Sequence, residues 1–191
     1  MTKSEFRETI QQDLLRYDIK ERFTLRLFIK CFGPNYAPGL KFTIIYRYCQ
    51  LSKSKSRWLF YFFMLWLRHL TNKYGIDISY RTKIGKGLYI GHFGGIVIHG
   101  DTEIGENCNI SQGVTIGVLV RGKNSGIPKI GNRVFIAPGA SILGGITIGD
   151  DVLIGTNAIV TFDVPDHAVV ASPLATIVSD KGSKEYIVNI E

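Results

Sequence analysis

Residues 130–160 read IGNRVF-IAPGAS-ILGGIT-IGDDVL-IGTNAI-V when they are divided into groups of six, and an aliphatic residue opens every group. The residue that follows it is mostly Gly, Ala or Ser, which suits a tight corner of the backbone. The same interval recurs upstream at Ile78, Ile84 and Ile90, and again at Ile98, Ile104, Ile110 and Ile116. A fixed six-residue period predicts a parallel β-helix, in which each hexad forms one side of a prism and three hexads form one coil.

Other regular structures do not fit this period. An amphipathic helix repeats every 3.6 residues, and ordinary strand alternation would not place a small residue after the same aliphatic position in nearly every hexad. An unrelated β-sandwich would leave about twelve registered hexads to chance. We therefore predict a mainly β fold, in which a β-helix over residues 76–180 buries the aliphatic side chains and residues 181–191 form a tail.

The balance of charge changes at about residue 76. Residues 1–75 contain 14 Lys and Arg against 5 Asp and Glu, whereas residues 76–191 contain 9 against 11. No acidic residue occurs between Arg22 and Ile76, a stretch that also holds both tryptophans. This change in composition places a domain boundary between residues 75 and 76.

The basic N-terminal region is expected to be α-helical. Apolar residues at helical spacing predict helices on both sides of Asp18, over residues 40–51 and over residues 57–71. The last of these contains ten consecutive apolar residues, Trp58–Leu67, whereas a bilayer-spanning helix needs about 20. A helix buried in the core or at a subunit contact is favoured over an amphipathic segment on an anionic membrane, and the two roles can coexist.

Two interruptions of the period point to functional sites. The first adds two residues within His92–Gly95, and the second takes residues 118–129 out of the prism as a protruding loop. Insertions in a solenoid form loops that commonly lie on its binding face. Candidate site residues are therefore sought at these two places.

His92 and Asp77 are the candidates for acid–base chemistry. His92 points out of the prism beside glycines, and a neutral imidazole can take a proton from a hydroxyl near neutral pH. A solvated surface histidine is an equally good interpretation from spacing alone. Asp77 lies about one coil earlier, where its carboxylate could orient the imidazole. Taken alone, Asp77 is better explained as a strand-start cap.

The remaining histidines and the cysteines indicate no further chemistry. His69, His99 and His167 are interpreted as structural or surface groups, and no metal site or nucleic-acid partner is expected. The three cysteines, Cys31, Cys49 and Cys108, lack metal-type spacing. With no cleavable signal at the N-terminus, these features favour a reducing, cytoplasmic location, at the inner face of the membrane if the N-terminal region docks there.

Three motifs resemble a known family. They are DI at residues 77–78 with TKIGKGLYIGHFGGIVI at 82–98, CNISQGVTIG at 108–117 and VPDHAVV at 164–170. Together they resemble the serine O-acetyltransferase branch of the hexapeptide-repeat acyltransferases, over about residues 76–180. The resemblance implies a left-handed β-helix, acetyl-CoA as co-substrate and a homotrimer with the cofactor between adjacent prisms. A hexamer made through the N-terminal helices stays open.

The resemblance also implies roles for individual residues. His92 falls on the general base of the family and Asp77 on its carboxylate partner. The pantetheine arm would pair with backbone near Gly117, Ala137 and Gly155. Arg121, Lys123 or Lys181 would meet the phosphates of CoA, although a charge in a loop is usually solvated.

The sequence departs from the family where the amino acid is held. Serine acetyltransferases carry an Asp immediately before the catalytic His and an Arg-His pair near the end of the loop, whereas this chain has Gly91 and Gly126–Ile127. A zwitterion with unmatched charges would bind poorly. We therefore expect an O-acetyltransferase that acts on a sugar or saccharide hydroxyl in polysaccharide assembly, with serine O-acetylation for cysteine synthesis as the alternative.

A non-catalytic solenoid that binds a surface or a partner is a third interpretation. Such proteins usually present ladders of identical outward residues. The outward positions here are mixed, as Lys86, His92, Glu106, Gln112, Asn132, Pro138 and Asp150 show. The pattern therefore favours an enzyme.

Overall fold

The computed structural model describes residues 2–176, which form four helices followed by thirteen short strands. Thr2, Thr24 and Ser56 each accept a hydrogen bond from a backbone N–H of the first helical turn, and so cap three of the helices. Gly75 ends the last helix in the left-handed conformation, with φ of 63°. The helices are α1 (Lys3–Leu15), α2 (Leu25–Cys31), α3 (Pro38–Lys53) and α4 (Arg57–Tyr74).

The strands form three parallel sheets, which are the three sides of a prism of five coils. Their orders are β1-β3-β6-β9-β12, β10-β7-β4-β2 and β13-β11-β8-β5. The strands are β1 (Ile76–Ile78), β2 (Lys83–Ile84), β3 (Ile96–Ile98), β4 (Glu103–Ile104), β5 (Asn109–Ile110), β6 (Thr115–Gly117), β7 (Lys129–Ile130), β8 (Phe135–Ile136), β9 (Ser141–Leu143), β10 (Thr147–Ile148), β11 (Leu153–Ile154), β12 (Ile159–Val160) and β13 (Val169–Val170).

The six-residue period places the aliphatic residues in vertical stacks inside the prism. One stack pairs Ile78 with Ile98 and then Ile116 across successive coils, and all three side chains are buried. A corner of the prism is formed by residues in the left-handed backbone conformation, which only Gly and Asn adopt at low cost. That corner is built from Gly75, Gly95, Gly113, Gly139 and Asn157.

The helical region covers the open edge of the first coil. The backbone groups of a terminal coil have no next coil to pair with and must find other partners when they are buried. The Arg47 guanidinium donates to the carbonyl oxygens of Ile84 and Gly85, at 2.8 and 2.6 Å. Asp13 accepts from the N–H groups of Gly87 and Leu88, at 2.8 and 2.9 Å. Helix side chains therefore replace the missing coil.

Asp13 and Arg47 also bind each other at 2.8 Å, and both side chains are fully buried. A buried ion pair is tolerated only when its remaining donors and acceptors are satisfied, as the bonds to residues 84–88 satisfy them here. The pair thus joins α1 and α3 to the prism. Buried residues of α3 and α4 pack in one apolar cluster with the prism interior, and a second apolar cluster joins α1, α2 and α3.

The apolar run of α4 is only partly covered in the single chain. Leu67 is buried, and Phe63 and Trp66 are half-buried. Trp58 is 87% exposed and Phe62 is 55% exposed. The core alone therefore does not bury this helix. Among residues 2–176, every helix is too short or too polar to cross a membrane.

Candidate active site

His92 lies exposed at the corner that leads into β3. Its neighbours are held by the backbone on both sides of the insertion: Gly94 accepts a hydrogen bond from the Gly113 N–H at 2.8 Å, and Ile96 donates to Gly75 at 3.0 Å. The ring of Phe93 packs edge-on against Tyr74 at the end of α4, with 5.5 Å between centroids. The corner that carries His92 is therefore anchored to the end of α4 and to the next coil.

Tyr17 holds the chain just before His92. Its hydroxyl accepts from the Ile90 N–H at 2.9 Å and donates to the Ile90 carbonyl at 3.2 Å. Burial raises the pKa of Tyr17 well above its usual value, so the hydroxyl keeps the proton that it donates. The sequence did not identify Tyr17 or Asp13 as site residues. Asp13 lies on the apolar stripe of α1 with Ile10 and Leu14, and Tyr17 continues that spacing just after the helix ends; this spacing is the signal that could have found them.

Asp77 lies at the centre of β1, on its outward face, and pairs with Val97 of the next coil. Gly75 and Gly95 stack closely between the two segments, so Asp77 and His92 occupy adjacent coils near one corner. In the part of the chain that the structure describes, Asp77 and His92 do not form an ion pair with each other. A histidine–carboxylate contact does form, but it joins His167 to Asp151 at 3.7 Å.

A groove of about 400 Å³ separates α4 from the first coil, and Asp77 lines it. Helix α4 contributes Arg68, Thr71 and Asn72, and the first coil contributes Ser79. The groove thus combines a guanidinium, a carboxylate and neutral hydrogen-bonding groups. Such a set can match a small molecule that carries both a negative and a positive charge.

The predicted CoA-binding positions do not all share one corner. Ala137 and Gly155 follow β8 and β11 in neighbouring coils of one sheet, whereas Gly117 ends β6 in another sheet. The N–H groups of Ala137 and Gly155 donate to carbonyls of the next coil, both within 2.9 Å. The carbonyl oxygens of Ala137 and Gly155 accept from the N–H groups of Ala140 and Ala158, at 3.3 and 3.2 Å, so the N–H groups at this corner are not vacant and both carbonyls already have one partner.

The loop over residues 118–129 forms a small hairpin, in which Leu119 and Gly126 exchange two backbone hydrogen bonds. It folds back on the next coil, where Asn124 accepts from the Gly145 N–H at 2.9 Å. Arg121 and Lys123 are exposed near its tip. Lys181, the third predicted phosphate ligand, lies outside the described residues.

Two positions where the family carries side chains have no room for one. A Cβ on Gly91 would come within 2.9 Å of the ring of Tyr89. A Cβ on Gly126 would come within 2.9 Å of the Gly145 backbone, and Gly126 has φ of 135°, which L side chains rarely adopt. Local packing therefore disfavours a side chain at both positions, more strongly at Gly126, where the close atoms belong to the backbone. No cluster of three or more His, Cys, Asp or Glu side chains suited to a metal occurs within residues 2–176.

Comparison with known proteins identifies the family. A family model described as bacterial transferase hexapeptide (six repeats) matches residues 127–161. The serine acetyltransferase of Helicobacter pylori (strain ATCC 700392 / 26695) is 40% identical over 146 residues, which cover 75% of this chain and 84% of that protein. The chain belongs to the serine acetyltransferase family. The expectation of an acyltransferase is thereby confirmed.

Solved structures of serine acetyltransferases agree with this assignment. The Neisseria gonorrhoeae enzyme in complex with serine has a TM-score of 0.69 and 26% identity, over 93% of this chain and 70% of that one. A serine acetyltransferase in complex with CoA has a TM-score of 0.64 and 28% identity, over 87% of this chain and 65% of that one. The predicted fold, a left-handed parallel β-helix with a helical N-terminal region, is confirmed.

The expectation of a sugar acceptor in polysaccharide assembly is wrong. The relatives at 40–42% identity are named serine acetyltransferases, and solved neighbours are complexes with serine or cysteine. The expectation rested on the missing side chains at Gly91 and Gly126. Packing against Tyr89 and Gly145 gives both glycines a local reason that does not involve the acceptor.

Proposed function

We propose that this protein transfers the acetyl group of acetyl-CoA to the hydroxyl of L-serine. The proposal is carried by the 40% identity to a named serine acetyltransferase, 84% of whose length this chain covers. The exposed and well-anchored position of His92 agrees with it. A solved relative that binds CoA supports acetyl-CoA as the donor.

The reaction needs a base that takes the proton of the serine hydroxyl and a thioester whose carbonyl group is polarised. The neutral imidazole of His92 takes the proton of the serine hydroxyl as its oxygen attacks the thioester carbon. The tetrahedral intermediate collapses with loss of the CoA sulfur, which receives the proton back from His92. The products are O-acetylserine and CoA, and no acyl-enzyme forms. Asp77, one coil away near the same corner, would orient the imidazole and stabilise its charged form.

The site is proposed to be completed by a second copy of the chain. In a homotrimer, acetyl-CoA would lie in the groove between two prisms, with the hairpin of residues 118–129 beside it. Gly117 lies at a different corner from Ala137 and Gly155, so these positions would reach one CoA molecule from two neighbouring chains. Arg121 and Lys123 are exposed near the hairpin tip and available to the phosphates.

The charged groups of L-serine are proposed to bind in the groove between α4 and the first coil. Arg68 offers a planar pair of donors for the serine carboxylate, and Asp77 offers a carboxylate near the base. Gly91 and Gly126 leave no room for the side chains that other family members use. A different arginine therefore takes over the role in this chain.

The direct test measures release of CoA from acetyl-CoA with L-serine as acceptor. The His92→Ala variant should lose about 10²–10⁴-fold in kcat, which is the usual contribution of a positioned base. His99→Ala is the matched control, because His99 follows β3 in the same coil and its Nδ1 accepts from the Asp101 N–H at 3.2 Å. Turnover of sugar hydroxyls without turnover of serine, or full activity of His92→Ala, would overturn the proposal.

A further inference from the structure

The hairpin of residues 118–129 is held against the prism by one asparagine. When the five coils are counted by β1, β3, β6, β9 and β12, the hairpin leaves the prism after the third coil. The backbone carbonyl of Asn124 accepts from the Gly145 N–H of the fourth coil at 2.9 Å. The side-chain amide of Asn124 donates to the Thr161 carbonyl of the fifth coil at 2.6 Å. Asn124 therefore binds two successive coils, one through its backbone and one through its side chain.

Two glycines of the fourth coil allow the hairpin to lie directly on the prism backbone. A Cβ on Gly144 would come within 2.5 Å of the Asn124 carbonyl oxygen. A Cβ on Gly145 would come within 2.7 Å of the Ser125 carbonyl oxygen. Hairpin and coil are thus in backbone contact, with no space for a side chain between them. Because all these contacts lie within one chain, the direction of the hairpin does not depend on a neighbouring copy.

The tip of the hairpin carries positive charge only. Residues 118–129 contain three Lys or Arg and no Asp or Glu. Arg121 and Lys123 flank Gly122, which has φ of 95° and turns the chain at the tip. Asn124 directly follows Lys123. Its two bonds to the prism therefore fix one end of the short segment that carries both cations.

The tip lies far along the prism from the proposed base. His92 comes just before the second coil, whereas Thr161, which Asn124 binds, ends the fifth. Neighbouring coils are about 4.8 Å apart, so roughly 14 Å along the prism axis separates the two levels. Acetyl-CoA is also an extended molecule, in which the pantetheine arm separates the thioester from the phosphates. A cofactor with its thioester at His92 would extend towards the tip, because the helical region covers the other end of the prism.

We propose that Asn124 is a positioning residue for acetyl-CoA, which holds Arg121 and Lys123 where they meet the phosphates of the cofactor. A cation on a freely moving loop loses much conformational freedom when it binds an anion, and a cation on a fixed loop loses less. Asn124 therefore strengthens cofactor binding without contacting the cofactor. The inference rests on the proposed use of acetyl-CoA, but it does not depend on the acceptor of the acetyl group.

The test is a double-mutant cycle on the binding of CoA to the intact protein, measured by isothermal titration calorimetry. Asn124→Ala removes the amide that donates to Thr161, and it should weaken CoA binding by about tenfold. In the Arg121→Gln/Lys123→Gln background, the same substitution should change binding by less than about twofold, because the cations that Asn124 positions are absent. Equal losses in both backgrounds would overturn the proposal, because Asn124 would then act on the fold of the site and not through the two cations.

Ser125→Ala is the matched control in the same hairpin. Ser125 contacts Gly122 and the fourth coil through its backbone N–H and carbonyl, which alanine retains. This variant should bind CoA as the wild-type protein does. Urea denaturation should give the same midpoint for Asn124→Ala and Ser125→Ala, which shows that both variants fold. An equal loss of CoA binding in the two variants would contradict a specific role of the Asn124 side chain.

Kinetics with L-serine separate this inference from the proposed function. Asn124→Ala should raise the KM for acetyl-CoA by about tenfold and leave kcat nearly unchanged, because neither the base nor the acceptor is altered. CoA binding with the expected coupling, but without acetylation of L-serine, would support the role of Asn124 and overturn the proposed acceptor. Acetylation of L-serine with unchanged CoA binding in Asn124→Ala would do the reverse. A wild-type protein that does not bind CoA would overturn both.

Discussion

The ring of Tyr89 lies against Gly91 so closely that a Cβ at position 91 would come within 2.9 Å of ring carbon Cε1. Tyr89 is itself packed against Tyr17, with 4.7 Å between centroids, and lies 6.0 Å from the guanidinium carbon of Arg16. The ring therefore cannot turn away without disturbing α1. Gly91, directly before His92, is small because the contacts of Tyr89 with Arg16 and Tyr17 hold the tyrosine ring against it.

Adding a methyl group at position 91 should destabilise the fold through this contact. Gly91 does not have the positive φ that would itself exclude alanine, so any cost of Gly91→Ala comes from overpacking, about 1–3 kcal/mol. The double variant Tyr89→Ala/Gly91→Ala should recover part of that loss. Urea denaturation of the two single variants and the double variant measures the coupling. Strictly additive effects would show that the two residues do not oppose each other.

Tyr17 is expected to support both stability and catalysis. Tyr17→Phe removes the hydroxyl that serves the N–H and the carbonyl of buried Ile90, and unsatisfied buried groups cost about 1–3 kcal/mol. Because Ile90 lies two residues before His92, kcat should fall while the KM for acetyl-CoA changes little. Tyr61→Phe, at an exposed position of α4, is the control. Unchanged denaturation and kcat in Tyr17→Phe would remove Tyr17 from the support of the site.

The prism could be predicted from the sequence because its geometry is set by a local period. Every coil repeats the same inward aliphatic position, as at Ile98, Ile116 and Ile142, so register, topology and core follow from counting residues. The interruption at His92 could be found for the same reason, since it breaks that count. Handedness did not follow from the period and came only from the resemblance.

The helical cap could not be predicted in this way, because its contacts join residues far apart in sequence. Asp13 and Arg47 lie 34 residues apart and meet the backbone of residues 84–88, which no periodic pattern indicates. The acceptor was predicted wrongly because glycine was interpreted as an absent ligand. Whether a glycine is required by packing depends on neighbours such as Tyr89 and Gly145, and those neighbours are known only from the fold.

Arg68 is expected to act on binding of serine and not on the chemical step. Arg68→Gln should raise the KM for L-serine by about tenfold or more with little change in the KM for acetyl-CoA, because a charged hydrogen bond contributes roughly 1.5–3 kcal/mol. Arg81→Gln is the matched control, since Arg81 is exposed on the prism and pairs with Asp101 at 2.8 Å. An unchanged KM for L-serine would place the serine carboxylate elsewhere.

The Asp13–Arg47 pair should be among the most sensitive positions in the chain. Asp13→Ala leaves a buried guanidinium without its counter-ion and two N–H groups without an acceptor, which costs about 3–5 kcal/mol. Glu21→Ala is the control, because the Glu21–Lys30 pair is exposed and surface pairs contribute about 0–1 kcal/mol. Urea denaturation at one fixed protein concentration compares them. Equal midpoints would show that the cap does not depend on this pair.

The buried thiols predict how stability changes in alkaline solution. Burial raises the pKa of Cys49 from its usual 9.0 to about 11, and it raises the pKa of Cys31 and Cys108 in the same direction. The folded state thus holds these protons more tightly than the unfolded chain does. The resulting stability is fully present below pH 9 and is lost as the pH rises towards 11.

Two measurements check this linkage. The urea midpoint should decrease as the pH is raised from 8 to 11. The decrease should be smaller in Cys49→Ala, because this variant lacks one of the thiols whose proton is held more tightly in the folded state. At pH 8, iodoacetamide should modify native Cys49 at least about a hundredfold more slowly than the urea-unfolded chain, because the thiol is fully buried and its raised pKa also lowers the thiolate fraction. Rapid alkylation of the native protein at Cys49, identified by peptide mass, would show that α3 opens readily and that the helical cap is less firmly packed on the prism than its contacts imply.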